Sequence, residues 1–425
     1  MEPEKHMAEK SGHDMDMREL KGLEIAARTK ITFDGDAWVV PSQSGNGKYR
    51  VLLKPEAACT CEDFQLRREA CKHVIAARLV MEREHSGKAP KVDTDVAPKR
   101  PTYKQDWPAY NQAQMTEKHR LQELLVDLCR NLPEPPYKGG REPTPIADVV
   151  FACVFKVYST FSSRRFACDL NDALGRGHLS KPMHPNKVNT HLERSDLTAI
   201  LRDLIIRSSL PLRAIETDFA SDSSGFSTSR FVRWYDEKYG VTRSGHDWVK
   251  THIMTGVRTN VITAVEILDR NAGDCPQLPE LVKTTAENFT VKEVSADKAY
   301  LSRENLDVIH ALGATAYIPF KSNSVEGGSD TLWGRMFHYF QFCREDFLKH
   351  YHKRSNVEST FSMVKAKFRD HVRSKTDDAM KNEVLCKLLC HNICCVIQAH
   401  CELGIEPVFW KNEPTEERRL LKFPG

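Results

Sequence analysis

Two hydrophobic periods alternate along the carboxyl-terminal half of the chain. Residues 212–221, 246–258 and 260–268 carry apolar positions in alternation or in short runs, separated by glycine-containing turns, which predicts three successive strands. A helical period follows over 277–289. A strand at 290–296, a helix at 302–312, a strand at 314–320 and a helix from about residue 351 complete the series. The order β-β-β-α-β-α-β-α predicts an α/β domain. Residues 321–350, with Gly327, Gly328, Trp333 and several aromatics, read as a small insertion before the last helix. In that helix Val357, Phe361, Val364 and Phe368 form an apolar stripe that can seat on a core. Tyr351, Arg354, Glu358 and Lys365 fall on a separate face, within an arc of about 60° at 100° per residue.

This places one carboxylate among three side chains of kinds that contact DNA, as a working edge would. Two segments upstream offer further acids. Asp297, in the segment TVKEVSADKAYLSREN, stands where a valine-rich strand ends, at the rim where open α/β sheets bind ligands. In LPLRAIETDFASDSSGFS, Asp218 and Asp222 share one parity and would face the same side of a strand, so spacing alone leaves both open.

The spacing Y-x2-R-x3-E-x6-K from Tyr351 to Lys365 resembles the glutamate signature of the DDE transposases of bacterial and archaeal insertion sequences. Ala296-Asp297-Lys298-Ala299-Tyr300 is similar to that family's A-D-K/R-G-Y, with alanine in place of glycine. Asp222-Ser223-Ser224-Gly225-Phe226 resembles its D-S-T-G-F and selects Asp222 over Asp218. Trp248 to His252 resembles its W-x-K-x-H segment, and Asp274 stands where the family carries an N/D-x-x-x-L element. The resemblance implies a ribonuclease H-like core with acids on the first strand, the fourth strand and the last helix. It further implies that Asp222, Asp297 and Glu358 bind two Mg2+ or Mn2+ ions and are catalytic. Tyr351, Arg354, Lys365, Trp248 and His252 would contact DNA. The partners so implied are double-stranded DNA at transposon ends and target DNA, with a homodimer assembled on DNA, in the cytoplasm of a prokaryote alongside its chromosome.

Nearer the amino terminus, Cys59-Thr-Cys61 and Cys71-Lys-His73 give C-x-C-x9-C-x-H, three thiolates and one imidazole suited to a closed structural Zn2+ site. With an apolar strand before it (Tyr49 to Leu53) and a helix after it (Val74 to Glu84), this resembles the SWIM zinc finger. Cys386, Cys390, Cys394, Cys395 and Cys401 lie at mostly helical spacing beside leucine and isoleucine and read as small buried hydrophobes.

Charge and composition add limits. Among 425 residues the excess of base over acid is only +4, so DNA affinity must come from local patches, and the run from Lys349 to Lys375 is one. No signal-peptide pattern or apolar run long enough to span a bilayer is expected, and 13 cysteines, an odd number, speak against a secreted disulfide scaffold. Residues 1–30 are expected to be a disordered tail, 31–87 the zinc finger, 88–108 a proline-bearing linker, 109–207 a helical DNA-binding or dimerisation region, 208–403 the catalytic domain and 404–425 a tail. Amphipathic runs at 115–131, 145–160 and 195–207 carry the helical region. A catalytically silent DNA-binding protein, or an adaptor acting through the zinc finger, remains an alternative for the same residues.

Overall fold

The computed structural model describes residues 17–410 apart from 43–46, 55, 86–105, 137–138, 141, 229–247, 269–271, 322 and 329. They gather into two compact units, one built from residues up to 100 together with 334–344, the other from 101–333 and 345 onward. Most of the expected linker, and the tail beyond residue 410, lie outside the described residues.

The first unit opens with helix α1 (Met17–Arg28), followed by strands β1 (Thr32–Phe33), β2 (Trp38–Pro41), β3 (Lys48–Leu52) and β4 (Ala58–Cys59), then helices α2 (Glu62–Arg67) and α3 (Lys72–His85). The strands pair in sequence order as an antiparallel meander. Helix α1 corrects the expectation of disorder over residues 1–30 for Met17–Arg28, while residues 1–16 lie outside the described residues. Gly22 and Ile25, one turn apart, are buried among charged neighbours, and a Cβ at Gly22 would lie 2.7 Å from Ile75 Cγ2 on α3. A helix of weak pattern forms here because α3 supplies the face that covers it.

The second unit begins with helices α4 (Trp107–Cys129), α5 (Ile146–Ser159), α6 (Ser163–Gly175), α7 (Pro185–Leu192) and α8 (Asp196–Ser209). Strands β5 (Asp218–Ser227), β6 (Trp248–Gly256) and β7 (Ile262–Leu268) follow, then helix α9 (Leu278–Ala286), β8 (Glu293–Ala296), α10 (Arg303–Ala311) and β9 (Thr315–Tyr317). Helix α11 (Leu332–Phe342) falls within the expected insertion, and residues 334–344 group with the first unit. Helices α12 (Arg344–Tyr351), α13 (Ser355–Phe368) and α14 (Asp377–Leu403) complete the chain.

The five strands of the second unit run β7-β6-β5-β8-β9, the first three antiparallel and β5, β8 and β9 parallel. The element order follows the sequence expectation, but the first strand begins at Asp218 rather than at 212. Leu210–Leu212 instead form a 3-10 turn continuing α8, because the apolar residues there belong to the helical packing. No seam in the packing divides the expected helical region from the expected catalytic domain. Leu121, Leu125, Val150, Phe155, Leu201 and Ile205 share one core with Ile253, Val265, Val357, Phe361 and the buried face of α14.

Helix α14 is long and apolar enough, by length and composition alone, to cross a membrane, a correction to the reading of the sequence. Its apolar window is 72% buried inside the protein, as in a core helix. Cys386 and Cys390 are fully buried there, and Cys394, Cys395 and Cys401 pack on the same core.

Candidate active site and metal centre

Strand β5 sorts its residues by parity. Asp218, Asp222, Ser224 and Phe226 meet the segment 353–365, whereas Phe219 packs on Phe289 and Ser223 reaches Asp274. Asp222 therefore lies within the strand rather than at its end. In the parallel ladder Ser221 stands opposite Ala296. The next residue after each is an acid, Asp222 within β5 and Asp297 just past the end of β8, where neighbouring strands run about 4.8 Å apart.

The third acid comes from α13, and the chain breaks helical period to deliver it. Tyr351 ends α12, His352–Arg354 form a 3-10 turn, and α13 starts at Ser355, so the expected single helical face is interrupted. The polar set still meets, apart from Lys365. Arg354 donates from NH1 to Asp222 Oδ2 at 2.7 Å and from NH2 to Glu358 Oε1 at 2.5 Å, and its guanidinium lies 6.0 Å from the Tyr351 ring centre. Burial pushes the Asp222 carboxyl up, and the negative charges of Asp297 and Glu358 add to that push. The Ser223 N–H and Arg354 oppose it. Three carboxylates thus face one guanidinium, and the remaining charge suits further cations.

Asp218 is already engaged. Lys353 Nζ bridges Asp218 Oδ2 at 2.6 Å and Glu293 Oε2 at 2.7 Å, and His350 adds a 2.9 Å contact to Glu293 while stacking on Tyr317. This clasp ties the segment before α13 to the starts of β5 and β8. Asp297 is held by its own backbone, its Oδ1 accepting from Lys298 N at 2.7 Å, while Ser302 and not Asp297 caps α10.

Behind Asp222 lies a polar network whose members the sequence named only as motif letters. His252 has no exposed surface. Its Nδ1 is 3.1 Å from the Tyr300 hydroxyl, and its Nε2 is 3.8 Å from Asp274 Oδ1. Lys250 also pairs with Asp274 at 2.5 Å. Burial holds the imidazole down to about 4, neutral at ordinary pH. The expected DNA contact at His252 is thereby corrected, since its ring supports the floor of the site and cannot reach a duplex. Trp248 is half exposed and lies against Gly225, where a Cβ would come within 3.1 Å of the indole. Lys365 sits apart from the acids, with Nζ donating to Ser224 Oγ at 2.7 Å above the Phe226 ring.

In the first unit Cys59 on β4, Cys61 before α2, Cys71 before α3 and His73 on α3 are all buried, with their ligand atoms within 4.8 Å of one another. Cys59 Sγ and Cys71 Sγ each lie 3.9 Å from His73 Nδ1, and the Tyr49 ring packs against the imidazole at 4.2 Å, tilted by 30°. Tetrahedral Zn–S bonds of about 2.3 Å set ligand atoms near 3.8 Å apart, so the set fits Zn2+.

Residues 214–393 match the family model of the transposase DDE domain, a span containing Asp222, Asp297 and Glu358, and residues 49–79 match that of the SWIM zinc finger, a span containing all four zinc-type ligands. No curated protein matches the chain. The chain thus joins a transposase DDE domain with a ribonuclease H-like core to an amino-terminal SWIM zinc finger.

Proposed function

We propose that the protein cuts and joins DNA at the ends of an insertion sequence, with Asp222, Asp297 and Glu358 holding two Mg2+ or Mn2+ ions. The observation that carries this reading is the meeting of the three acids, Asp222 within β5, Asp297 just past the neighbouring parallel strand β8 and Glu358 on α13, inside the matched transposase domain. Bound divalent ions supply Lewis-acid stabilisation of the attacking and leaving oxygens of a phosphodiester. The residues around them orient and clamp. Arg354 balances Asp222 and Glu358 and offers a fork that matches phosphate geometry. Tyr351 packs beside it, and Lys365 and the exposed Trp248 bind the DNA flanking the cut. Lys353, gripping Asp218 and Glu293, sets where α13 begins and so where Glu358 points.

In this reading residues 31–87 are a separable zinc finger, while the helices of 109–207 and the catalytic residues of 208–403 work as one body on transposon-end and target DNA. The working form is a homodimer assembled on DNA, beside a prokaryotic chromosome. The test is cleavage of linear DNA carrying the sequences that flank the gene. Nicking at the element boundary should require Mg2+ or Mn2+ and vanish with chelator. A protein that binds these ends yet cuts them in no divalent ion would instead be a catalytically silent binder.

A further inference from the structure

Beyond Lys365, α13 runs into a second group of cations that the acidic site does not use. Arg369 NH2 donates to Thr160 O at 3.2 Å, Arg373 NH1 donates to Phe161 O at 3.1 Å, and Lys156 Nζ donates to the same Phe161 oxygen. Three positive groups therefore converge on the α5–α6 turn and are held by backbone carbonyls rather than by carboxylates. The nearby acids are committed elsewhere. Glu383 accepts from the backbone of Arg373 and Ser374 and from Ser374 Oγ, Asp169 pairs with Lys118, and Asp370 pairs with His371. Burial first, and then the charges of Arg373 and Arg369, hold the Lys156 ammonium down to about 8, against the opposing pull of Glu383 and Asp169.

The backbone here is strained on both sides of the contact. Arg369 has φ 74° with ψ 149°, a region close to glycine-only, and Thr160 has φ 55°. Lys387, buried and donating to the carbonyls of Arg369 and His371 at 3.1 and 2.6 Å, holds that segment in place. Phe161, 45% exposed, and exposed Arg164 and Arg165 continue the surface. Strain of this kind costs about 1–3 kcal/mol and persists where surrounding contacts impose it.

We infer that Lys156, Arg369 and Arg373 form a docking track for the phosphate backbone of duplex DNA, continuous with the acidic site through Lys365. Arg354 to Arg369 spans about 22 Å along a helical rise, six or seven phosphate steps of one strand. The track thus seats DNA several nucleotides from the cut, where contacts position the duplex without reading sequence. This inference rests on the DNA reading above.

The test is binding of a short mixed-sequence duplex across a salt series, by wild type, Arg369→Gly, Arg373→Gln and Arg373→Lys. Arg369→Gly removes the cation and relaxes the backbone, so it should fold with an undiminished melting temperature. Each neutral variant should bind several-fold more weakly at moderate salt and lower the slope of log K against log salt by about 0.9. Arg373→Lys should keep the wild-type slope. Unchanged affinity and slope in Arg373→Gln, with a cooperative melt, overturns the track and leaves the DNA reading standing. Should Arg369→Gly fail to fold, the two Arg373 variants decide alone. If wild type binds no duplex in any salt, the DNA reading falls and takes the track with it.

Discussion

His252 shows how far a motif letter is from a role. Its place in W-x-K-x-H suggests a side chain aimed at DNA, yet the ring is sealed between Tyr300 and Asp274 with its value held near 4, against an ordinary 6.5. Between those values the unfolded chain takes up a proton that the folded protein refuses. The neutral ring's full contribution is therefore present above about pH 6.5 and declines as pH falls toward 4, by at most about 3 kcal/mol. Buried His391, also near 4, adds a slope of the same sign, so the informative quantity is the difference between two proteins. Denaturant melts near pH 5 and pH 7.5 should show a smaller loss of stability on acidification in His252→Asn than in wild type. Equal losses would remove the buried, neutral imidazole from the explanation. Arg354 carries a second expectation at this scale. With Arg354→Gln, Asp222 and Glu358 lose their shared cation, which should cost about 1 kcal/mol at this partly exposed site. Added Mn2+ should then raise the melting temperature of the variant more than that of wild type. Asp297, just past β8, and Glu358, in the first turn of α13, sit at the end and the start of periodic segments, whereas Asp222 lies within β5, where periodicity gives it no mark. The choice of Asp222 needed family resemblance, since Asp218 has the same parity, and only the contact to Lys353 shows what Asp218 does instead.

At the level of elements, periodicity located the five strands of the second unit and the helices between them but misjudged their ends, and it set no bounds on the helices at Ser163–Gly175, Pro185–Leu192, Arg344–Tyr351 and Asp377–Leu403. The helix expected from residue 351 is broken by a 3-10 turn at His352–Arg354, and no apolar spacing signals the break. Its cause is tertiary, because Lys353 and Arg354 are drawn to acids on β5 and β8 on either side of the turn. Helix α1 was missed for a related reason, its short stripe being completed only by α3. The ligand set of the zinc finger was legible, since four residues at fixed spacing do not depend on distant contacts. Strands β2 to β4 and helices α1 to α3 supply only a modest core, so bound metal should supply much of its stability. Cys59→Ser should release one equivalent of zinc from the purified protein, measured by a colorimetric chelator, and abolish protection of the α3 amides from hydrogen exchange. Retention of stoichiometric zinc would mean that Cys59 is not a ligand.

On the scale of the whole molecule, the sequence divided what packing joins. A boundary near residue 207 follows from the change of period, but α14 returns from the far end of the chain to bury Cys386, Leu389 and Ile393 in a core that also holds α4, α5 and α8. Long-range closure of this kind leaves no local mark. Asn392 illustrates it, hydrogen-bonding to Ile205 O and Ile262 O and so fastening helix to sheet across nearly two hundred residues of chain. The amino-terminal helices are accordingly part of the body that holds the acids in place. The most direct test of that arrangement is the single-turnover rate of end cleavage in Mg2+, compared at matched DNA occupancy for wild type, Asp222→Asn, Asp297→Asn, Glu358→Gln and Asp218→Asn. Each of the first three variants should bind DNA and lose cleavage by about three orders of magnitude or more, whereas Asp218→Asn, altering a brace, should retain measurable cutting. Cleavage at near wild-type rate in Asp222→Asn, with loss confined to Asp218→Asn, would contradict the site as built here.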